Sequence, residues 1–243
     1  MDRLIGIHAV REALVAGRPL ERIVIARGRH GNRFEELIDL ARQRGVSVRF
    51  EDRAQIDRLA GSGQHQGVVA LSAAKQAADL EDLIARGAVC ENGKGFLVLL
   101  DGVEDPRNLG AILRTAETAG VHGVVIPERR AAGLTESVAK SSAGALEYVP
   151  VVKVVNIVHT LDEFKRAGLW VAGAEAGGDR LYWDADFIGP TVLVGGGEDR
   201  GVRRLVRERC DYIVSLPLKG RISSLNVSVA AGILLYEARR QRA

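Results

Sequence analysis

Between residues 1 and 72 the apolar positions switch repeatedly between helical and extended spacing. IHAVREALVAG predicts a helix and ERIVIAR a strand. RFEELIDLARQRG predicts an amphipathic helix ended by Gly45, VSVRFE a strand, RAQIDRLAG a helix and QGVVALS a strand. That alternation predicts a small α/β sandwich. AAKQAADLEDLIARGAVCENGKG is rich in Ala, Gly and polar residues, with one helical stretch, and reads as a linker. From Phe96 the alternation resumes. FLVLLDGV, GVVIPE, LWVAGAEA, TVLVGGG and DYIVSLPL read as short buried strands with helices between them. Runs so uniformly apolar predict an α/β unit with a mostly parallel sheet covered on both faces. The expected division is a domain over 1–73, a linker over 74–94 and a second domain over 95–243.

Composition narrows the classes. The chain has 243 residues, nearly half of them apolar, which is enough for one large or two small cores. Its longest apolar run, Val229 to Tyr236 with Gly232 tolerated, is too short to span a bilayer. MDRLIGIHAV lacks a basic-then-apolar signal pattern, so a cytoplasmic home is expected. Cys90 and Cys210 stand far apart and read as reduced structural thiols, and the five histidines form no metal-ligand pair. No metal is expected. Net charge is +3 but uneven: residues 1–75 hold 13 Lys and Arg against 9 Asp and Glu, leaving 21 against 22 for the rest. The excess includes Arg27, Arg29 and Arg33 in ARGRHGNRF. That loop suits phosphate and makes a nucleic-acid partner plausible, while a solvated arginine surface explains charge alone equally well.

Three segments of the second domain share a layout of strand, small-polar loop and helix, and ligands of open α/β sheets bind at such loops. In LLDGVEDPRNLGAILRTAETAG, Pro106 with Asn108 marks a helix start, and Leu109, Ile112, Leu113 and Ala116 form a buried stripe. Arg114 lies off that stripe, either free for chemistry or paired with Glu117 one turn on. In TVLVGGGEDRGVRRL, three glycines allow a close backbone approach to a ligand, but Arg200 stands where a dinucleotide fingerprint needs glycine or alanine. A flexible glycine turn explains the segment alone equally well. In SLPLKGRISSLNVSVAAGILLYE, Ser223, Ser224, Asn226 and Ser228 occupy the first turns of an apolar helix. Asn226 there is not explained as an ordinary cap, because Asn inside a helix competes with the backbone. SVAK (137–140) matches S-x-x-K, but the companion S-D-N and K-T-G triplets are absent.

Taken together and in this order, DPRNLGAILRTAETAG, LVGGGEDRGV and LPLKGRISSLNVSVAAGILLYE resemble the three motifs of the SpoU/TrmH branch of the SPOUT methyltransferases. HQGVVA (65–70) is similar to the end of that family's L30e-like RNA-binding domain, so the resemblance covers the whole chain. Within the branch it is most similar to the 23S rRNA guanosine-2'-O-methyltransferases. Asp199-Arg200 departs from the pattern, where Gly commonly follows Glu198.

The resemblance implies a deep trefoil knot in the second domain and S-adenosylmethionine as cofactor, contacted at Gly196, Leu216 and Leu225 largely through backbone. It assigns Arg114 to the ribose 2'-hydroxyl. Asn108, Glu198, Ser224 and Asn226 complete the implied catalytic group, with no metal. It also implies a homodimer, which the apolar circumference of NVSVAAGILLY independently favours. 23S rRNA is the implied partner. Methylation of tRNA or another rRNA site, and a catalytically inert RNA-binding protein, are the alternatives.

Overall fold

A computed structural model describes residues 2–61, 65–73, 78–88, 94–198 and 201–243. By contacts they divide into two units, one of residues 1–76 with Leu134–Tyr148 and the other of 77–133 with 149–243.

The first unit runs β1 (Asp2–Ile5), α1 (Ile7–Val15), β2 (Leu20–Ala26), α2 (Asn32–Gln43), β3 (Ser47–Glu51), α3 (Arg53–Ala60) and β4 (Val68–Ser72). Its sheet has the order β1-β4-β2-β3, with only β2 and β3 parallel. Alternation along β2 sends Ile23 and Ile25 to a core with Val10, Leu14 and Leu37, and Val24 to the opposite face with Ile56. The helices and β2 to β4 lie where the periodicity places them. β1 was not expected, since DRLI is too short and mixed to show a period, and its pairing with β4 fixes it. Leu134–Tyr148 belongs to this unit through the paired Arg18 and Glu147 (2.8 Å) and the Tyr148 hydroxyl, which donates to Glu12 Oε2 (2.7 Å).

The second unit begins with α4 (Leu80–Ala88), β5 (Phe96–Asp101), α5 (Pro106–Thr118) and β6 (Gly123–Pro127). After α6 (Glu136–Ser141), which lies in the segment of the first unit, come β7 (Val151–Val154), α7 (Ile157–Arg166), β8 (Trp170–Ala174) and β9 (Arg180–Leu181). β10 (Thr191–Gly196), α8 (Arg204–Arg207), β11 (Tyr212–Ser215) and α9 (Val227–Gln241) complete it. The seven strands lie in the order β7-β6-β5-β10-β8-β11-β9, and all six pairings are parallel. Helices on both faces explain why β5 and β6 are buried at every position. Five strands match the expected runs; β7 and β9 are additions, four and two residues long, that only their neighbours define.

The chain leaves β5 toward β6 and β7, then returns on the other side through β8, β9 and β10. Direction reverses between β5 and β10, where the register sets Asp101 beside Gly196. Loops from both strand ends diverge there, and that opens a crevice at the carboxyl edge.

Candidate active site

Three loops and two helix starts meet at this crevice. Asp105 caps α5, its carboxylate accepting from the Arg107 N–H at 2.8 Å, and Pro106 takes the first helical position. The cap is therefore Asp105, and Asn108, 9% exposed, sits one turn inside with its amide free for other partners. The expected stripe of Leu109, Ile112, Leu113 and Ala116 is fully buried.

The third segment differs from expectation in an informative way. Its helix starts at Val227, so Ser223 and Ser224 lie in the preceding loop and Asn226 is the N-cap. Asn226 Oδ1 accepts from the Ser228 and Val229 N–H groups at 2.9 and 3.3 Å, and from the Ser228 hydroxyl at 2.6 Å. With the oxygen so engaged, the amide has one possible orientation, and Nδ2 must face the crevice. It donates to Asn108 Oδ1 at 3.1 Å and Glu198 Oε1 at 3.3 Å, while Asn108 Nδ2 donates to the same carboxylate oxygen. One amide thus caps a helix and joins the other two motifs. Of the five residues grouped from the sequence, the structure joins Asn108, Glu198 and Asn226 by hydrogen bonds; the cap role of Asn226 was set aside there because the helix start was placed too early.

A cavity of about 330 Å³ opens beside this network, of a size found for small-molecule sites. Gly195 and Gly196 line its floor, and Leu216, Ser224 and Leu225 its walls. The glycines have different reasons to be there. A Cβ on Gly196 would come within 2.0 Å of the Gly201 backbone, and one on Gly197 within 2.3 Å of the Gly102 carbonyl, so the loop closes only without side chains. A Cβ on Gly195 would touch only Leu100 Cδ2, at 3.5 Å. The fold does not demand glycine at 195; the open floor does, since a side chain would occupy the cavity. An apolar slot with bare backbone at one end fits a flat heterocycle held by peptide groups.

A second, polar cavity of about 480 Å³ shares Gly197, Glu198 and Gly201 with the first. Beneath it, Asp101, 2% exposed, accepts from the Arg203 N–H at 3.0 Å and from its guanidinium at 2.7 Å. That fixes the turn into α8.

Arg114 is not part of either cavity lining. It lies exposed on α5, and among the described residues its side chain makes no hydrogen bond or ion pair, so the alternative pairing with Glu117 is absent. Asp199 and Arg200, where the motif departs from pattern, lie outside the described residues.

In the first unit, Arg27, Arg29 and Arg33 are exposed. Arg27 reaches Asp52 only at 3.8 Å, and Arg29 lies over Gly67. Sequence reasoning missed a groove of about 360 Å³ in this unit, lined by Arg22, Arg49 and Arg58 with Glu51 between them. Only the pairing of β2 with β3 brings Arg22 and Arg49 near each other. Among the described residues no cluster could hold a metal ion, and no helix is long and apolar enough to cross a membrane.

A parallel sheet whose strand-end loops form an apolar cavity beside an Asn–Glu–Asn network defines an α/β protein with a small-molecule site at its switch point. Comparison narrows the class. Residues 95–236 match the SpoU rRNA methylase family, and residues 3–78 match the substrate-binding domain of RNA 2'-O-ribose methyltransferases. The chain belongs to this SpoU family of RNA 2'-O-ribose methyltransferases. It is 44% identical over 241 residues to YacO of Bacillus subtilis (strain 168), assigned to the TrmH family of tRNA/rRNA methyltransferases, covering 99% of this chain and 96% of that one. It also resembles the SpoU methyltransferase AviRb from Streptomyces viridochromogenes in complex with the cofactor AdoMet. The TM-score there is 0.81 at 29% identity, over 99% of this chain and 90% of AviRb. An AdoMet-bound rRNA methyltransferase from Sinorhizobium meliloti gives 0.78 at 25% identity, over 98% and 86%.

Proposed function

We propose that the protein transfers a methyl group from S-adenosylmethionine to the 2'-hydroxyl of a guanosine in 23S rRNA. The observation that carries this reading is the network of Asn108, Glu198 and Asn226 standing between an apolar cavity and a polar one. Gly196, Leu216 and Leu225 hold the cofactor in the apolar cavity, which the open floor at Gly195 fits. When bound, the cofactor supplies a methyl group on a sulfonium, open to attack by an oxygen nucleophile.

The chain's residues then have to orient the ribose and stabilise the oxygen as it loses its proton. Holding two reactants in line supplies much of the barrier reduction. Glu198 fixes both amides, and Ser224 at the cavity wall offers a hydroxyl to the ribose. Arg114 stabilises developing alkoxide or an adjacent phosphate; as a base it is unsuited, since arginine, with an ordinary pKa above ~12, stays protonated at physiological pH.

Arg114 serves a site at the contact of two copies. On α9, Val229, Ile233 and Tyr236 are exposed at i, i+4 and i+7, an apolar stripe that a homodimer covers. Tyr236 donates to Thr118 on α5, four residues beyond Arg114, so stripe and arginine share a face. The chain path in this reading includes the trefoil knot. RNA is held by the first unit, through Arg27, Arg29 and Arg33 and the groove of Arg22, Arg49 and Arg58.

The test is methyl transfer from tritiated S-adenosylmethionine to unmodified 23S rRNA and tRNA transcripts, followed by mapping of hydrolysis-resistant linkages. The reading expects one 2'-O-methylguanosine in 23S rRNA. Label confined to tRNA would favour the relatives' broader tRNA/rRNA description, and failure to bind S-adenosylmethionine in calorimetry would leave an inert RNA-binding protein.

A further inference from the structure

The polar cavity has features that neither the fold nor the motifs require. Its charges divide into two groups. Asp101 and Arg203 neutralise each other, and Asp105 is spent on the α5 cap. Arg129 and Arg130, at the end of β6, line the same cavity and are exposed. Among the described residues, neither side chain makes a hydrogen bond or ion pair. Two unengaged guanidinium groups in one concavity are matched to phosphate, whose oxygens accept their paired N–H donors.

The loop that carries them is built rather than loose. The Ala132 N–H donates to the Val103 carbonyl at 2.9 Å, which ties it to the loop after β5. Arg130 itself has φ of +58°, in the left-handed region that disfavours a side chain with a Cβ. Glycine would relax that backbone, yet the position holds arginine. Strained positions of this kind cluster at active sites and ligand clamps.

We propose that this cavity seats the target nucleotide, with Arg129 and Arg130 gripping its flanking phosphates and the shared Glu198 wall meeting its ribose. The proposal rests on the methyl-transfer reading and adds the substrate side of that site. Glu104 is exposed and lines the same cavity, where its carboxylate would accept from an exocyclic base amine. Arg129 and Arg130 are positioning residues: they act on phosphate, one bond system away from the reacting oxygen.

The experiment compares wild type with Arg129→Ala, Arg130→Gly and the double variant. Arg130→Gly relieves the strained φ, so its melting temperature should equal or exceed that of wild type, and lost function then has no folding explanation. Calorimetric affinity for S-adenosylmethionine should stay within twofold. With 23S rRNA transcript, the double variant should raise KM for RNA at least tenfold. The slope of log binding constant against log salt should flatten by about 1.4, for two single-strand phosphates at roughly 0.7 each. Arg129→Lys should recover part of the affinity, as a point charge without the planar fork.

An unchanged KM and salt slope in the double variant would overturn the proposal, and so would loss of cofactor affinity. Should wild type methylate neither 23S rRNA nor tRNA transcripts, the reaction reading falls. The salt slopes on those transcripts still decide the phosphate grip.

Discussion

The two cavities share a wall and differ in almost everything else. The smaller is floored by glycines and walled by leucines, with Glu175, Glu198 and Ser224 as its polar side chains. The larger carries Asp101, Glu104, Asp105, Arg129, Arg130 and Arg203. In an apolar slot, a ligand is selected by shape and by fixed backbone groups, which reorganise little. In the polar cavity it is selected by charge, which is screened by salt and tunable by substitution. Between them Glu198, held by Asn108 and Asn226, belongs to both. The difference assigns labour: one side stores a reagent that never varies, and the other accepts a segment of polyanion.

The largest effect expected from any single change concerns a residue in neither cavity. If the two cavities alone performed the chemistry, Arg114 would be dispensable. Arg114→Ala should instead reduce kcat by on the order of 10²–10³, the range for loss of one aimed charge donor. Cofactor affinity and melting temperature should hold, because the side chain is exposed and makes no hydrogen bond or ion pair among the described residues. Arg114→Lys should not restore turnover. Stopped-assay kinetics with calorimetry decide it, and near-normal kcat in either variant would confine the chemistry to the shared wall. Light scattering at micromolar concentration should give a dimer mass; a fully active monomer would remove the route by which Arg114 reaches a site.

Next come the residues of the shared wall. Glu198→Gln keeps the shape but weakens charge-assisted bonds from both amides, and kcat should fall by about 10²-fold. Asn226→Ala removes the amide link and the helix cap together. Chemical denaturation should register about 1 kcal/mol for the cap, with a larger loss in turnover than that stability change explains. A drop in turnover no greater than that of a neutral cap change, such as Asn226→Ser, would reduce the network to a structural device.

How legible was this division in the sequence? Part of the apolar side was readable: three glycines after a strand and buried runs such as FLVLLD are visible without coordinates, whereas Leu216 and Leu225 came only from the family resemblance. The α5 stripe was equally plain, since period 3.6 fixes it. The polar side was not readable. Arg129 and Arg130 follow a strand as any surface pair would, and only the left-handed φ of Arg130 and the tie from Ala132 to Val103 distinguish them. The same limit hid the groove of Arg22, Arg49 and Arg58, which depends on strand register. Asn226 shows the intermediate case: its type was noticed, but a helix start placed at or before Ser223 instead of at Val227 concealed that it is a cap. Short strands such as β1 and β9 are defined by what they pair with.

Gly195 and Gly196 turn the contrast into a paired test with a smaller effect. Gly195→Ala should leave the melting temperature within a degree or two, because the new methyl meets only Leu100 at ordinary contact distance. It should weaken S-adenosylmethionine by about tenfold, the scale of one misplaced methyl in a fitted pocket. Gly196→Ala drives a Cβ into the Gly201 backbone, so it should lower stability by about 1–3 kcal/mol as well as affinity. Equal effects of the two on stability would mean that the floor is structural throughout.

The smallest functional effect is expected around the start of β11, where Cys210 packs against the core of the second unit. Burial pushes the Cys210 thiol up to about 12, with Asp211 adding to the shift, and burial likewise raises the Tyr212 phenol to about 12. Both groups are neutral at physiological pH, and the thiol packs against Gly173, whose Cβ would lie 2.8 Å from Cys210 Sγ. In the unfolded chain the thiol and phenol lose their protons near their ordinary values of 9.0 and 10.0. Between those values and about 12 the unfolded state therefore binds fewer protons than the folded one, and stability falls as pH rises through that window. Denaturant midpoints should be flat with respect to these groups below pH 9 and decline above it, with Cys210→Ala removing the thiol's share. At pH 8 the native thiol should react with iodoacetamide roughly a thousandfold more slowly than a free cysteine, because only the thiolate attacks. Peptide mapping after brief alkylation measures this at Cys210 alone. Rapid labelling there, without loss of cofactor binding, would mean that the core beside Gly173 opens to solvent independently of the cofactor cavity.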